Sequence, residues 1–438
     1  MTNASNISRR IMLGRGASLV GAGAILAACG GPEAGGSQGS ERPAPSGRIV
    51  ELRTHARAGA EKDGYVKNVE AFNKQYEGKY KAIYEPMDGD LYQKQETHIV
   101  GGTIGDVHYA HQSNIKFQEY AVKGVAIPLD PFIAKDKNFK YTDWPQRAQE
   151  ALKVVDNKVF GLPVRGQVAW MFIYWNRDML NRTGVSEPTP NWTLDDLLTN
   201  ARKLQQGMSG TAEFHPVAYS WGGYEQAVAN VRRFNGEVFN PPNGAGTKAT
   251  LDSAQCQQAI KWFYDNIKSG LFAPRTYGGT QFAEGKVGFY IGRLAGERGG
   301  IANSVKQNFE WTFDIMPKGP TGRRGGFLSI DTQQINSASK SRDGAWELIK
   351  WLTNKQSGIN LALQPDGSLT PGFRKDVYCD EQLLNDPRFP KSAMKANCDN
   401  IDIPEGYTYP ANFRLTQEGA IQPIINKYLN DIADLKQE

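Results

Sequence analysis

Apolar residues after residue 47 follow two alternating spacings, which predict strands and helices in turn. Alternation of apolar and polar positions predicts strands over Arg48–Thr54, Lys79–Tyr84 and Asp106–Ala110. Spacing of three and four residues predicts helices over 65–76 and Leu91–Val100. This order of strands and helices is typical of an α/β lobe with a largely parallel sheet.

Polar residues follow the predicted strands of this lobe. Ligands of open α/β sheets bind at the carboxyl ends of the strands. Arg57 comes just past the first predicted strand, and His111, Gln112 and Asn114 follow the third. These four residues are therefore the candidates in this lobe for contact with a ligand.

The histidines of this region do not predict a metal site. His108 and His111 are three residues apart, which places them on opposite faces of a strand. A third or fourth ligand does not stand near them in the sequence, as a tetrahedral metal site requires. The sequence predicts neither a metal nor a cofactor.

The second half of the chain predicts further strands and helices. A strand is expected over Ala169–Trp175 and a strand-like return over 326–335. Thr193 stands three residues before Asp196, the spacing of a capping box at a helix start. A further helix is predicted over Ser253–Ile267, with Cys256 on its apolar face.

The N-terminal stretch Met1–Gly30 has the pattern of an export signal. Arg9 and Arg10 precede an apolar, small-residue run that is too short to span a membrane comfortably. Leu26–Cys29 resembles the bacterial lipobox, and the paired arginines resemble the twin-arginine signal. By this resemblance, residues 1–28 are removed and Cys29 is lipidated. Residues 29–47, rich in Gly, Ser and Pro, predict a flexible tether.

Charge and length restrict the classes of partner and fold. The 438-residue chain has a formal charge of +5, and loss of the signal removes three arginines and no acid. A charge near +2 gives no reason to expect nucleic acid as a partner. A chain of this length exceeds what one core supports, so two lobes are expected.

Three cysteines remain after Cys29. An exported chain could join Cys379 to Cys398, and the sequence leaves this pairing open. Cys256 recurs at helical spacing with apolar neighbours, so it is expected to be a buried apolar residue.

Short segments in order resemble the extracellular solute-binding proteins of family 1, the sugar-type subunits of ATP-driven importers. The matching segments are Gly161-Leu162-Pro163, Tyr174–Asp178, Trp192–Leu197, Phe282–Tyr290, Pro317–Pro320 and Ala345–Glu347. The resemblance implies a type II binding-protein fold, α/β, with two hinge-linked lobes and a solute between them. It also implies import through an ABC permease, with a monomeric protein held at the membrane by a lipid on Cys29.

The lobes expected from this resemblance are discontinuous in sequence. Residues 48–156 with 325–364 are expected to form the N-terminal lobe, and 162–317 with 374–438 the C-terminal lobe. The chain is expected to cross between them near 156–162, 317–325 and 364–374, where Pro and Gly cluster.

Sugar binding requires aromatic platforms and polar groups for the hydroxyls. Trp221 and Tyr224 flank Gly222-Gly223, where sugar binders of this family carry a stacking aromatic; two core aromatics are the alternative. Tyr290 ends a predicted strand, Arg293 follows it, and Phe413 stands where a stacking Trp is otherwise found. The sequence thus predicts a sugar or oligosaccharide as the solute.

Two alternatives stay open. The guanidinium groups of Arg57, Arg165, Arg293 and Arg323 would suit an anionic solute, such as a uronate or a glycerol phosphodiester, because they bind oxyanions bidentately. A secreted carbohydrate-active enzyme would need two carboxylates across a cleft. Asp195-Asp196 is better explained as a helix start, where negative charge is favourable, so we expect no enzyme.

Overall fold

A computed structural model describes residues 47–402, apart from residues 60, 112–114, 154, 168–170, 220–223, 241–247, 275–276, 293–299, 326–327, 363, 365–368 and 370. The predicted signal, the predicted tether with Cys29, and the segment containing Phe413 lie outside the described residues.

The strands carry two main sheets. In chain order they are β1 (Val50–Arg57), β2 (Tyr80–Met87), β3 (Val107–His111), β4 (Leu162–Gln167), β5 (Phe172–Asn176), β6 (His215–Tyr219), β7 (Phe239–Asn240), β8 (Lys248–Ala249), β9 (Val287–Gly292), β10 (Trp311–Ile315) and β11 (Ser329–Ile335). The first sheet has the order β2-β1-β3-β11-β4, and the second has the order β10-β5-β9-β6.

Helices flank both sheets. They are α1 (Lys62–Gln75), α2 (Leu91–Val100), α3 (Ile115–Val122), α4 (Asp130–Lys135), α5 (Gln146–Ala151), α6 (Arg177–Thr183), α7 (Leu194–Gly207), α8 (Tyr224–Arg233), α9 (Ala254–Lys268), α10 (Gly279–Ala283), α11 (Gly300–Val305), α12 (Arg342–Leu352), α13 (Lys355–Ala362), α14 (Lys375–Tyr378), α15 (Glu381–Leu384) and α16 (Lys391–Asp399). In the described part of the chain, no helix has the length and apolar character needed to cross a membrane.

The first sheet is largely parallel, as predicted. β1 pairs in parallel with both β2 and β3, while β11 runs antiparallel to its neighbours β3 and β4. Four strands therefore share one direction, and their carboxyl ends lie at one edge. Apolar residues from the sheet and from α1 and α12 form its core, including Leu52, Phe72 and Leu348. The second sheet is mixed, and one of its faces packs on α7 and α9 through Leu204, Phe263 and Phe289.

The local predictions were accurate where short-range signals decide the structure. α2 has the predicted bounds, and Thr193 and Asp196 form the predicted capping box at the start of α7. Ser253 caps α9, and Cys256 is fully buried. Cys379 and Cys398, which the sequence left open, form a disulfide.

Three predicted strand ends and one strand assignment require correction. β1 continues to Arg57, β3 includes His111 and β9 continues to Gly292, because backbone pairing extends beyond the apolar alternation. β4, which we had assigned to the second lobe, pairs with β11 in the first sheet. The chain therefore passes from the first sheet to the second between β4 and β5, over residues 168–171, and returns between β10 and β11, over residues 316–328.

Candidate functional site

Polar and charged side chains gather at the carboxyl edge of the first sheet. Arg57 is the last residue of β1 and His111 the last residue of β3. β4 runs in the same direction and brings Arg165 to this edge, and β11 enters the sheet here with Ser329 and Asp331. Pairing of β11 with β3 and β4 sets Asp331 between His111 and Arg165, because its register partners are these two residues.

Asp331 is the centre of the cluster. Its residue is 3% exposed, and its Oδ1 accepts a 2.5 Å hydrogen bond from the Tyr109 hydroxyl. Its Oδ2 accepts a hydrogen bond from the Arg165 guanidinium and lies 3.8 Å from Arg57 Nη1. Burial alone would raise the pKa of this carboxyl, but Arg165, His111 and Arg57 outweigh burial and lower the pKa to about 2. Asp331 is therefore ionised at neutral pH.

Two carboxylates share the Arg165 guanidinium. Besides its bond to Asp331, Arg165 Nη2 lies 3.0 Å from Glu61 Oε1, at the start of α1. Burial lowers the pKa of Arg165, but the two carboxylates outweigh it, so that its pKa is raised and it stays charged. The Arg165 side chain is only 17% exposed, and its Nε and Nη2 atoms are directed to the two carboxylates of the cluster.

Arg57 is the more accessible of the two guanidinium groups. Its side chain is 43% exposed, and its Cζ lies 6.0 Å from the centre of the Tyr109 ring. The Tyr84 hydroxyl donates a 2.6 Å hydrogen bond to the Arg57 carbonyl, and Tyr84 stacks on Tyr65 at 5.4 Å. The aromatic residues of β2 and α1 thus fix the backbone that carries Arg57.

His111 is held as a neutral ring. Its Nε2 lies 3.0 Å from Ser329 Oγ and 3.6 Å from Asp331 Oδ1. Burial lowers its pKa, and although Asp331 opposes this, the net pKa is about 4. The backbone N–H of His111 donates to the Tyr92 hydroxyl at 2.9 Å. A neutral imidazole with one donor and one acceptor is suited to a hydroxyl-bearing partner.

The corresponding edge of the second sheet is only partly described. The parallel strands β6 and β9 end at Tyr219 and Gly292, immediately before segments that lie outside the described residues. Trp221 and Arg293 fall in these segments, and of Tyr224 only its place as the first residue of α8 is described.

Tyr290 lies in the core of the second lobe. It is 8% exposed, and its ring lies 5.6 Å from Tyr174 and 5.9 Å from Phe282. Its position is therefore explained by packing, and its predicted contact with a solute stays a prediction. Arg323, a candidate for binding anions, instead bonds to Asn235 at 2.9 Å and to Glu237 at 3.2 Å.

Of the predicted site residues, the structure brings Arg57 and His111 together. Gln112 and Asn114 lie outside the described residues, directly after His111. Sequence reasoning missed Tyr109, Glu61 and Asp331. The one available signal for Asp331 was a single carboxylate in the strand Ser329–Ile335, which is otherwise built of neutral residues. Within the described residues, no group of three or more His, Cys, Asp or Glu side chains is placed to hold a metal ion.

Two α/β lobes with polar residues at a carboxyl strand edge are the architecture of a two-lobed binding protein. The chain belongs to the bacterial extracellular solute-binding protein family, whose sequence model matches residues 58–359. The predicted family and fold class are thereby confirmed.

Related sequences are distant. A protein of Brucella abortus, whose name assigns it a binding role without a solute, is 24% identical over 282 residues, which are 60% of this chain and 62% of the relative. This chain therefore spans less than two thirds of that relative. A protein of Sinorhizobium fredii named "Probable amino-acid ABC transporter periplasmic-binding protein" is 24% identical over 68% of each chain.

Solved structures share the fold. The sugar-binding protein MalE of Xanthomonas citri matches with a TM-score of 0.71 and 16% identity, covering 88% of this chain and 93% of that one. An ABC substrate-binding protein of Listeria monocytogenes in complex with cycloalternan matches with a TM-score of 0.68 and 17% identity, covering 88% and 94%. At these identities the likeness is one of fold.

Proposed function

We propose that the protein binds a neutral sugar or oligosaccharide between its two lobes and delivers it to an ABC import permease. In this proposal the protein works outside the cytoplasm as a monomer, held at the membrane by a lipid on Cys29, and performs no covalent chemistry on the solute. The family supports a role in solute binding, and the Leu26–Cys29 motif supports the anchor.

The charge balance of the first-lobe edge carries the proposal for a neutral solute. The positive charges of Arg57 and Arg165 are offset by Glu61 and Asp331, and His111 is neutral. A net charge of zero, with the exposed Arg57 guanidinium and the partly exposed His111 ring as hydrogen-bonding groups, suits hydroxyls, which donate and accept. It provides little net attraction for an anion.

The paired charges of the cluster therefore support an anionic solute less than the arginines of the sequence did. Bidentate binding of an oxyanion needs a guanidinium whose donors are directed to the solute. Arg165 directs its donors to two buried carboxylates, and Arg57 lies within 4 Å of one of them. An anionic solute would have to compete with Asp331 for both groups.

A solved sugar-binding protein shares this fold, which supports a sugar as the solute. The Sinorhizobium relative is instead named for amino acids. These two classes differ in charge at neutral pH, because an amino acid carries an ammonium and a carboxylate. Its carboxylate would need an unpaired cation and its ammonium an unpaired acid. In the described cluster both kinds of group are already paired with each other.

A thermal-shift screen tests the solute class. The panel contains neutral mono- and oligosaccharides, uronates, glycerol phosphodiesters and amino acids. A solute that binds only the folded state at one hundred times its Kd stabilises it by about 2.7 kcal/mol. We expect stabilisation by at least one neutral saccharide. Stabilisation by uronates, phosphodiesters or amino acids alone would contradict the proposal.

A variant of Arg57 then locates the site. Replacing Arg57 by Gln should raise the Kd for the saccharide about tenfold, the equivalent of about 1.4 kcal/mol, measured by isothermal titration calorimetry. The matched control is Arg147→Gln, which removes an exposed guanidinium paired with Glu150 on α5 and should leave the Kd unchanged. Equal effects of the two variants would place the site elsewhere.

A further inference from the structure

The strand that carries Arg165 is tightly packed at the next residue. A Cβ atom on Gly166 would lie 2.7 Å from Phe373 Cγ and 2.8 Å from the Ser329 carbonyl oxygen. Phe373 is fully buried in the core of the first lobe. Any shift of Phe373 must therefore move β4, because the interior is close-packed and leaves no slack between them.

Tyr378 holds the same glycine from a second direction. Its hydroxyl donates a 2.5 Å hydrogen bond to the Gly166 carbonyl oxygen, and its side chain is 3% exposed. Tyr378 is the last residue of α14 and directly precedes Cys379, which is bonded to Cys398 near the end of α16. The disulfide thus lies one residue away from the group that contacts β4.

The other end of the disulfide is attached to the second sheet. In α16, the Ser392 hydroxyl lies 2.7 Å from the Thr312 hydroxyl of β10. Asn400, just past α16, donates to the Asp314 carboxylate at 3.3 Å. Ala393 and Met394 of α16 are buried in the core formed with β10. The Cys379–Cys398 bond therefore joins a helix that contacts the first sheet to a helix packed on the second.

We propose that Tyr378 is a positioning residue for solute binding, and that the Cys379–Cys398 disulfide holds it in place. Through the hydrogen bond to Gly166, Tyr378 fixes the section of β4 that sets the Arg165 guanidinium between Glu61 and Asp331. This inference rests on the proposed function, because the affected property is affinity for the solute.

Reduction of the disulfide should weaken binding. A dithiol such as dithiothreitol transfers two electrons and two protons to the bond, which leaves thiols at Cys379 and Cys398 and converts the reagent to its cyclic disulfide. Both cysteines are half-buried, so the reagent can reach them, whereas the third cysteine of the described chain, Cys256, is fully buried. Without the bond, α14 loses its disulfide cross-link to α16 and the two helices are connected only by the backbone between them.

The test compares affinities in a double-mutant cycle. Tyr378→Phe removes only the hydroxyl, and Cys379→Ser with Cys398→Ser removes only the bond. We expect each change to raise the Kd for the saccharide about fivefold to tenfold, and the combination to raise it by clearly less than the product, because both act through one contact. Tyr76→Phe is the matched control, since it removes a hydroxyl bonded to Glu347 at the other end of the first sheet.

A purely structural role of the disulfide would lower stability and leave the affinity of the folded protein unchanged. Affinities are therefore measured at a temperature at which circular dichroism shows every variant to be folded. Unchanged Kd values in the disulfide variant, or effects that multiply as independent ones, would overturn the proposal.

Hydrogen exchange provides a readout without solute. We expect the backbone amides of β4 to exchange faster in Tyr378→Phe and in the disulfide variant, while those of β2 keep their wild-type rates. Unchanged exchange in β4 would refute the positioning role even if no saccharide binds. Failure of wild-type protein to bind any saccharide, with faster β4 exchange in the variants, would refute the proposed solute and leave the positioning of β4 supported.

Discussion

Replacing Asp331 by Asn tests whether this carboxylate organises the cluster. The side chain keeps its shape and loses its charge, so Tyr109 keeps an acceptor. Arg165 keeps Glu61 at 3.0 Å, and Arg57 loses the carboxylate 3.8 Å away. The cluster then carries two guanidinium groups and one carboxylate, with a net charge of +1.

The pKa of Asp331 gives the size of the effect. The pKa is about 2 in the folded protein against an ordinary value of 3.8, and this difference corresponds to about 2 kcal/mol of stability at neutral pH. Breaking a buried ion pair costs about 3–5 kcal/mol when one charge is left without a partner. Because Arg165 retains Glu61 as a partner, we expect the free energy of unfolding to fall by about 2–3 kcal/mol, between the figure from the pKa and the lower end of the range for a broken ion pair.

The sign of the pH dependence follows from the lowered pKa. The unfolded chain binds the Asp331 proton first as the pH falls, so the stabilisation is present above about pH 4 and is lost toward pH 2. Between pH 7 and pH 5 the carboxylate is ionised in both states. The difference between wild type and variant should therefore stay constant over this range, and the variant should unfold in acid at a higher pH.

Urea unfolding followed by circular dichroism at pH 7 and pH 5 measures the difference. Asp195→Asn is the matched control, because Asp195 is exposed in the first turn of α7 and its loss should cost no more than about 1 kcal/mol. A variant as stable as wild type at pH 7 would refute the reasoning. A difference that changes between pH 7 and pH 5 would assign the effect to a histidine instead.

Two further predictions concern burial and close packing. Burial lowers the pKa of His108 to about 3 and that of His111 to about 4, so the unfolded chain binds more protons below pH 6.5. The free energy of unfolding should then fall as the pH drops from 6.5 toward 5, with a slope for each histidine that rises toward about 1.4 kcal/mol per pH unit, and His108→Gln should reduce this slope in urea titrations. A Cβ on Gly358 would lie 2.9 Å from the Gly372 Cα, so Gly358→Ala should destabilise the protein by about 1–3 kcal/mol in urea unfolding, whereas Gly278→Ala, with open space around it, should not.

The sequence predicted the elements whose ends are set by neighbouring residues. α2 and the start of α7 were placed correctly, because apolar spacing and the Thr193–Asp196 capping box act within one or two helical turns. The order of strands and helices was also sufficient to predict the largely parallel first sheet. These signals are local, and they survive in the folded chain because the tertiary structure agrees with them.

Features decided by distant residues were not predictable in this way. Residues 162–167 were expected in the C-terminal lobe because Gly161 and Pro163 suggested a crossing, whereas they form β4, whose pairing with β11, more than 150 residues later, decides its sheet. The hydrogen bond between Tyr109 and Asp331 spans 222 residues, so no local spacing contains it. Strand pairing across such separations depends on the whole sheet rather than on a window of sequence.

The same limitation explains why the sequence left an anionic solute open as an alternative. In a sequence, an arginine at a strand end is an unpaired positive charge, because its partner is not visible. Arg165 was one of the arginines that favoured an oxyanion, and the structure gives it two carboxylates from α1 and β11. A charged residue indicates a ligand only once its partners in the folded protein are known, because a charge that is already paired attracts an external ion weakly.

The segment that precedes β11, the strand that carries Asp331, also packs on α8. The segment 316–328 leads from β10 to β11, and within it Gly325, at a φ of 69°, approaches the Ala229 carbonyl so closely that a Cβ would lie 1.8 Å away. The buried Arg233 donates a 2.8 Å hydrogen bond to the Arg324 carbonyl. α8, which begins at Tyr224, is therefore packed on the segment that enters the first sheet just before Asp331. The later part of α8, at Ala229 and Arg233, therefore packs closely on Arg324 and Gly325, and a shift of this part of α8 must displace these two residues.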